Sequence, residues 1–283
     1  MSKITVKLPD PQGVVAGGTA TFRIPVGRRF HALYLIYNYN VTTQNVADFT
    51  EIRVKANGQV IQRFTGTERD ILNQFEGKAA SVGVLEIPFD RSDLLSIGNR
   101  EETAINTGVN DKRGVSISSF YVEIDLDSGM TIAATDLQLY AKQSDAVAGG
   151  PGTIPFIRRE IRSAQGADSD FQISDLVNPG VNALDKVKLS RVTFKPSTGS
   201  LANLKIDRNN YGIFDRTDAL NRAVQNAGVR AAQSGYYMID TAENGHGAEA
   251  VDLWAMQDFR YRLDVSAAMD ITCLSEYLGV LNG

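Results

Sequence analysis

Cysteine is almost absent from this sequence of 283 residues, which contains one, Cys273. A single cysteine cannot form an internal disulfide, so a secreted scaffold held together by disulfides is excluded, and we expect assembly in a reducing host cytoplasm. Cys273 lies in an apolar stretch, residues 271–278. We therefore predict that it is a small buried hydrophobic residue and not a nucleophile.

Histidine is nearly as scarce, with only His31 and His246. A duplicated β-barrel metalloenzyme needs clustered histidines in each half, whereas these two stand at non-equivalent positions. The sequence has no compelling serine–histidine–aspartate order and no glycine-rich loop preceding a lysine and a serine or threonine. It therefore predicts that the protein is not an enzyme, with no catalytic residue, no cofactor-binding residue and no small-molecule substrate.

Long apolar runs and an excess of basic residues are also missing. No run is long enough to span a bilayer, so we expect a protein that is soluble or reaches a membrane only through partners. Asp and Glu outnumber Lys and Arg by 33 to 29, and the sequence pI is about 5.3. Because a surface that coats nucleic acid needs a basic excess, we expect no specific nucleic-acid partner.

The sequence is instead rich in segments whose apolar residues alternate with polar ones. Residues 22–26, 51–55, 120–126 and 259–265 each follow this period of two, which is typical of amphipathic strands with one buried face. Asn57-Gly58 supplies a strong hairpin-turn signal after the second of these segments. The pattern predicts antiparallel sheets.

Helical patterns occur once in each half. Residues 67–70 resemble a capping box and precede an apolar face that ends before Gly77. Residues 215–228 carry the other pattern, an apolar stripe at helical spacing made of Ala219, Leu220, Ala223 and Val224. We predict an all-β chain with one short helix in each half.

The two halves resemble each other. Four segments of the first half match four of the second in the same order, and the longest match runs over eleven residues without a gap. The matches are 22–24 with 171–173, 52–54 with 204–206, 69–74 with 217–222, and 120–130 with 259–269. Similarity that repeats in order and spacing indicates a duplicated structural unit.

A glycine-rich segment with few large apolar residues separates the halves. We therefore predict a first domain over residues 1–143, a linker over 144–153 and a second domain over 154–283. A unit of about 140 residues can hold its own core. About eight short strands and one helix per unit fit a jelly-roll β-sandwich, so the predicted fold is two tandem jelly rolls.

With these repeats, the chain resembles the double jelly-roll major capsid proteins of tailless icosahedral double-stranded DNA phages that have an internal membrane. Its compact length is most similar to the corticovirus type within the tectivirus and adenovirus lineage. The resemblance implies a homotrimer of pseudo-hexagonal outline that tiles the virion shell. It also implies contacts with neighbouring trimers, with vertex or minor capsid proteins and with an underlying viral membrane.

Two other functions remain open from the sequence. One is a tandem β-sandwich that binds carbohydrate or a receptor, as a lectin or viral spike does. The other is a double β-sandwich glycan hydrolase or amidase. Asp207, Asn209 and Asp215 offer oxygen ligands that suit calcium, although a polar turn explains these residues more simply.

Overall fold

The computed structural model describes residues 3–37, 44–176, 186–254 and 256–281. The chain forms two compact units. Unit 1 consists of Met1–Gln74, Lys78–Pro155 and Val280–Gly283, and unit 2 consists of Phe75–Gly77 and Phe156–Gly279. Three residues from the first half of the sequence therefore belong to unit 2.

Unit 1 contains two antiparallel four-stranded sheets. Its elements are β1 (Ile4–Lys7), β2 (Thr19–Ile24), β3 (Arg28–Ile36), β4 (Phe49–Ala56), β5 (Gln59–Phe64), α1 (Gly66–Phe75, whose last residue belongs to unit 2), β6 (Val84–Pro88), α2 (Ile97–Glu101), β7 (Ile105–Asn106), β8 (Phe120–Leu126) and β9 (Gln138–Asp145). One sheet has the order β1-β9-β3-β6 and the other β5-β4-β8-β2, while the two-residue strand β7 pairs with β3.

Unit 2 also contains two four-stranded sheets. Its elements are β10 (Thr153–Ala164, whose first three residues belong to unit 1), β11 (Asp168–Ile173), β12 (Lys188–Pro196), β13 (Leu201–Arg208), β14 (Tyr211–Thr217), α3 (Asp218–Ala227), β15 (Tyr237–Asp240), β16 (Val251–Asp252), β17 (Phe259–Val265) and β18 (Met269–Val280). The strand orders are β10-β18-β12-β15 and β11-β17-β13-β14, and the two-residue strand β16 pairs with β12.

The strand order is the same in both units. Leaving out the two-residue strands, each unit has eight strands among the described residues. They form one sheet in the order first, eighth, third, sixth and another in the order second, seventh, fourth, fifth. This double-sheet Greek-key arrangement is a jelly roll, so the chain is a double jelly roll as the sequence predicts.

The predicted strands over 51–55, 120–126 and 259–265 are confirmed by the structure, whereas the segment 22–26 is a strand only up to Ile24. In β8, Phe120, Val122, Ile124 and Leu126 are all buried, and the alternate residues are half-exposed. Alternation of this kind places one face of the strand in the core and leaves the other face outside. The Asn57-Gly58 turn joins β4 to β5, with both residues at positive φ (50° and 78°).

The repeat is closest from the fourth strand to the helix. The numbering shift from β4 to β13, from β5 to β14 and from α1 to α3 is 152 in each case (49 to 201, 59 to 211, 66 to 218). The irregularity between the fourth and fifth strands also recurs, after Val54 in unit 1 and after Ile206 in unit 2. The backbone of this hairpin and helix is therefore duplicated without insertion or deletion.

Two of the predicted sequence matches have the wrong register. The matches 52–54 with 204–206 and 120–126 with 259–265 align residues that hold the same place in their sheets. The match of 69–74 with 217–222 is displaced by four residues, because the helices align at a shift of 152. Phe22 corresponds to Ile173 and not to Phe171, which displaces that match by two.

Both errors have a physical reason. A slip of four residues is close to one helical turn, and a slip of two returns a strand residue to the same face. In either case the hydrophobic pattern still matches, although the backbone positions differ.

The helix boundaries also differ from the prediction. The capping box of α1 is formed by Thr65 and Glu68: the Thr65 Oγ1 accepts from the Glu68 backbone N–H, and the Glu68 carboxylate accepts from the Thr65 backbone N–H. The cap thus precedes the predicted one by two residues. Thr217 caps α3 by accepting from the Leu220 backbone N–H. The sequence did not predict the five-residue helix α2, which is a second helix in unit 1.

Candidate assembly surfaces

A network of charged side chains covers the outer face of the β5-β4-β8-β2 sheet in unit 1. Arg53 on β4 contacts three carboxylates: Glu51 at 2.5 Å, Asp125 at 2.7 Å and Glu123 at 3.2 Å. Lys55 adds a second cation, 2.6 Å from Glu123. Because these positions alternate with buried ones along each strand, the pleat of the sheet places all the charges on one side.

The pKa values in this network reflect the ion pairs. Hydrogen bonds from Arg53 hold the pKa of Asp125 below its usual range, and the same contact raises the pKa of Arg53. Burial alone would raise the pKa of Glu123, but hydrogen bonds from Lys55 and Arg53 outweigh it and lower that pKa. The network therefore favours the charged forms of Arg53, Asp125 and Glu123.

Unit 2 carries a different network on its corresponding sheet. Arg262 on β17 contacts Asp170 at 2.5 Å and Asp207 at 3.1 Å. Asp207 holds the place of Lys55 in unit 1, and Arg262 holds the place of Glu123. The cation and the anion have therefore exchanged strands between the two units.

An asparagine in each unit connects the hairpin turn to the start of the seventh strand. The Asn57 Oδ1 accepts from the backbone N–H groups of Ser118 and Ser119, at 2.9 and 3.3 Å. The Asn209 Oδ1 accepts in the same way from Gln257 and Asp258, at 2.8 and 3.2 Å. Both asparagines have positive φ, which asparagine tolerates better than most residues.

The three residues named as calcium candidates have separate protein partners. Asp207 contacts Arg262, Asn209 accepts the backbone bonds just described, and Asp215 lies 3.4 Å from Lys205. Among the described residues, no group of three or more His, Cys, Asp or Glu side chains could hold a metal ion. Calcium binding at these residues stays a prediction.

A buried group of charges lies on β12 and β15 in unit 2. Arg230 contacts Asp240 at 2.5 Å, and both side chains are fully buried. Arg191 on β12 lies 3.3 Å from Glu76 and 3.6 Å from Glu276. Phe75 completes the group, because the guanidinium carbons of Arg191 and Arg230 lie 5.1 and 5.8 Å from the centre of its ring.

Sequence reasoning did not identify this group. Its members come from four places that are far apart in the sequence: residues 75–76, Arg191, residues 230–240 and Glu276. No local motif connects them. The internal repeat does not predict it either, because Pro88 in unit 1 holds the place of Asp240.

Family models match the chain almost from end to end. The model described as the viral coat protein P2 N-terminal domain matches residues 5–144, and the model described as its C-terminal domain matches residues 155–281. The chain belongs to the viral coat protein P2 family. As a coat protein it is a structural component of the virion shell, and its function is that of a major capsid protein.

Solved structures support the fold of this coat protein. It is similar to the major capsid protein P2 from bacteriophage PM2, with a TM-score of 0.84, 18% identity, and coverage of 99% of this chain and 98% of that one. It is also similar to the STIV MCP, with a TM-score of 0.68, 11% identity, and coverage of 99% and 97%. A third similar structure is that of the PBCV-1 virus capsid, with a TM-score of 0.53, 9% identity, and coverage of 99% of this chain and 97% of that one.

No curated protein matches the sequence significantly. The family is one of structural capsid proteins, and the comparisons support neither the carbohydrate-binding nor the hydrolase alternative. In the described residues, no helix combines the length and the apolar character needed to cross a membrane.

The two histidines and the single cysteine of the coat protein lie in three different environments. His31 is buried on β3, where its ring nitrogens lie 2.9 Å from Asp90 and 2.9 Å from the Ser144 hydroxyl. His246 is exposed and precedes the short 3-10 helix Gly247–Glu249. Cys273 is buried, which confirms the prediction of a small buried residue, and burial raises the pKa of its thiol to about 12.

Two short clusters of basic residues, Arg28-Arg29 and residues 158–162, have acidic partners within the chain. Arg28 pairs with Asp145, and Arg162 lies 2.7 Å from Glu160 and 2.8 Å from Asp175. These contacts neutralise part of the positive charge of the two clusters.

Proposed function

We propose that three copies of the chain form a pseudo-hexameric homotrimer that tiles the facets of an icosahedral shell. The observation that carries the proposal is the repeat of one jelly roll twice in each chain, with the same strand order and the same backbone irregularities. Three chains then supply six similar building blocks. A ring of six similar blocks has the outline of a hexagonal tile, although its true symmetry is threefold.

The mass of the purified protein in solution tests this proposal. We expect size-exclusion chromatography with light scattering to give about 92 kDa, three times the 30.8 kDa of one chain. A particle of 30.8 kDa at every concentration up to that used for assembly would contradict the proposal. Electron microscopy of the same sample should show a hexagonal outline.

We propose further that assembly occurs in the host cytoplasm and that the homotrimer contacts neighbouring homotrimers, vertex or minor capsid proteins and a viral membrane beneath the shell. The family supports partners of this kind, because a coat must close at its vertices and enclose its contents. Co-sedimentation of assembled particles with vesicles that contain anionic lipid tests the membrane contact. Recovery of the protein only in the supernatant would contradict it.

We also propose that residues 1–143 and 154–283 fold as domains joined by residues 144–153. Asn106 supports this boundary, because its side chain donates to the carbonyls of Val147 and Gly150 and accepts from the Val147 N–H. These bonds attach the connecting segment to unit 1. Separate expression of residues 1–153 should yield a folded protein, and an unfolded product would contradict the proposal.

A further inference from the structure

Unit 2 contains a cavity at the end of its sandwich where the seventh strand, β17, begins. Its volume is about 370 Å³. The buried part of its wall includes Leu253, Tyr261 and Tyr277, which are 8%, 2% and 2% exposed. Ser174 and Gln257 also line the cavity, and both are exposed. The cavity therefore leads from the surface of the unit into its core.

A buried hydroxyl group in the wall of this cavity has no hydrogen-bond partner. Tyr261 lies on β17, where its ring packs edge-on against Phe194 and Phe259, with ring centres 5.5 and 5.2 Å apart. In the part of the chain that the structure describes, no group forms a hydrogen bond with the Tyr261 hydroxyl. Because buried hydroxyl groups normally have a partner, this one is available to a molecule in the cavity.

Tyr277, the other buried tyrosine of the wall, differs in this respect, because its hydroxyl has a hydrogen bond with Ser275. Burial raises the pKa of Tyr277 to about 12, and it raises the pKa of Tyr261 well above its usual value. Both hydroxyl groups are therefore uncharged at neutral pH. An uncharged phenol can donate its proton to an acceptor, so the wall offers a buried donor at Tyr261.

The jelly-roll fold does not require a tyrosine at either place. Val122 on β8 holds the place of Tyr261 in unit 1 and is fully buried. Gln143 on β9 holds the place of Tyr277. The fold that the two units share therefore does not explain the two phenol groups of unit 2.

The charges around the cavity disfavour a charged ligand. Among the described residues that line it, Asp258 is the only charged one. Its carboxylate lies 2.6 Å from Arg260, so its charge already has a counter-ion. An anion would find no cation in this wall, and a cation would compete with Arg260 for Asp258. Because burying an unpaired charge is costly, the wall suits an uncharged molecule.

The apolar part of the wall and the volume describe the rest of the ligand. Leu176, Leu253 and Met256 supply aliphatic surface, and Phe259 supplies an aromatic ring. An apolar cavity of about 150 Å³ in another protein binds one benzene molecule. The volume of about 370 Å³ therefore has room for a molecule of two rings.

We propose that this cavity binds an uncharged molecule of two rings in size that carries a hydrogen-bond acceptor, such as the carbonyl oxygen of a ketone or an ester. The Tyr261 hydroxyl donates to that oxygen, and the apolar body of the molecule packs against Leu253 and Met256. A ligand held in this way binds the folded state alone, so it also raises the melting temperature of the coat protein. The site lies within unit 2 and does not depend on the homotrimer.

Benzophenone and diphenylmethane test the proposal as a matched pair, because both have two rings and only benzophenone has a carbonyl group. Equilibrium dialysis against the whole protein should show one benzophenone bound per chain. Diphenylmethane should bind about tenfold more weakly, because it cannot accept the hydrogen bond. Equal affinities for the two compounds, or no binding of benzophenone at saturation in buffer, overturn the proposal.

Tyr261→Phe removes the hydroxyl group and keeps the ring. It should lower the affinity for benzophenone about tenfold and leave the affinity for diphenylmethane unchanged. Tyr37→Phe is the matched control, since Tyr37 in unit 1 is also 2% exposed and its hydroxyl donates to the Ser81 carbonyl at 3.1 Å. It should bind benzophenone as the wild type does. Undiminished binding of benzophenone by a folded Tyr261→Phe variant overturns the proposal.

Photolabelling of the wild-type protein locates the ligand without any substitution. Under ultraviolet light, the carbonyl of benzophenone takes a hydrogen atom from a C–H group that it contacts, and the two carbon atoms then join. Mass spectrometry of the digested protein should place the label on the peptide that contains Met256. Met130 is the control, because it is a methionine of unit 1. A label on Met130, or one spread evenly over the chain, overturns the proposal.

Discussion

Replacing Asp240 with Asn should destabilise unit 2 strongly. The Asp240 carboxylate and the Arg230 guanidinium are both fully buried and lie 2.5 Å apart. Asparagine keeps the shape and can still accept from the Ala242 N–H, which Asp240 does at 2.9 Å. The substitution therefore removes the negative charge while leaving a buried positive one beside it.

The structure allows the magnitude to be worked out. Removing one partner of a buried ion pair costs about 3–5 kcal/mol, because the remaining charge loses its compensation. Asp252→Asn is the control, since Asp252 is 41% exposed and lies 3.4 Å from Lys188. An exposed pair of this kind contributes less than about 1 kcal/mol. Urea denaturation followed by fluorescence would give both free energies of unfolding.

A double variant separates the charge from the packing. Pro88 holds the place of Asp240 in unit 1, so this position of the jelly roll does not require an acid. Replacing Arg230 with Met and Asp240 with Leu together should therefore cost less than Asp240→Asn alone. If Asp240→Asn costs no more than Asp252→Asn, the reasoning about the buried pair is wrong.

Three further predictions follow from the sheets and the core. Arg53→Met should lower the free energy of unfolding by about 1–2 kcal/mol at pH 7. Because Arg53 lowers the pKa of Asp125, this contact contributes stability above about pH 4 that is lost as the pH falls further. The melting temperature of the variant, measured as a function of pH, should therefore fall less steeply in acid than that of the wild type. Cys273, with its pKa raised to about 12, should resist iodoacetamide at pH 8 until denaturant is added, and rapid labelling of the native protein, measured by mass spectrometry, would contradict its burial. Asn57→Ala and Asn209→Ala should each lower the free energy of unfolding in urea by about 1–2 kcal/mol, because alanine loses the bonds to the backbone N–H groups and tolerates the positive φ poorly. Unequal losses would show that the two turns are not equivalent.

Strand positions could be predicted from the sequence because apolar and polar residues alternate along a strand wherever one of its faces is buried. Residues 120–126 and 259–265 are strands over those same bounds. The turn at Asn57 could also be predicted, because few residues accept its positive φ. These features depend on local chemistry alone.

The register of the repeat could not be predicted with the same accuracy. Hydrophobic patterns return to the same phase after two residues in a strand and after nearly four in a helix, so they cannot distinguish a correct alignment from a displaced one. Hydrogen bonds can distinguish the correct alignment from a displaced one. Gln225 and Asn73 both donate to a carbonyl of the sixth strand, and that bond specifies one alignment.

The candidate assembly surfaces were the hardest part to predict. The stripe of α3 is visible in the sequence, but a stripe ordinarily indicates the buried side of a helix. Only the inward position of Asn221 shows that Leu220 faces outward.

Comparison of the two jelly rolls separates what the fold needs from what the shell needs. The asparagine turns, the helix-to-strand amide bonds and the strand irregularities recur in both units, so they maintain the backbone. The outer faces do not recur: Lys55 is replaced by Asp207, Glu123 by Arg262, and Arg191 corresponds to Ala32. If both units met identical neighbours, nothing would favour different outer faces. The divergence fits the homotrimer proposed above, in which the two units of each chain would meet different neighbours.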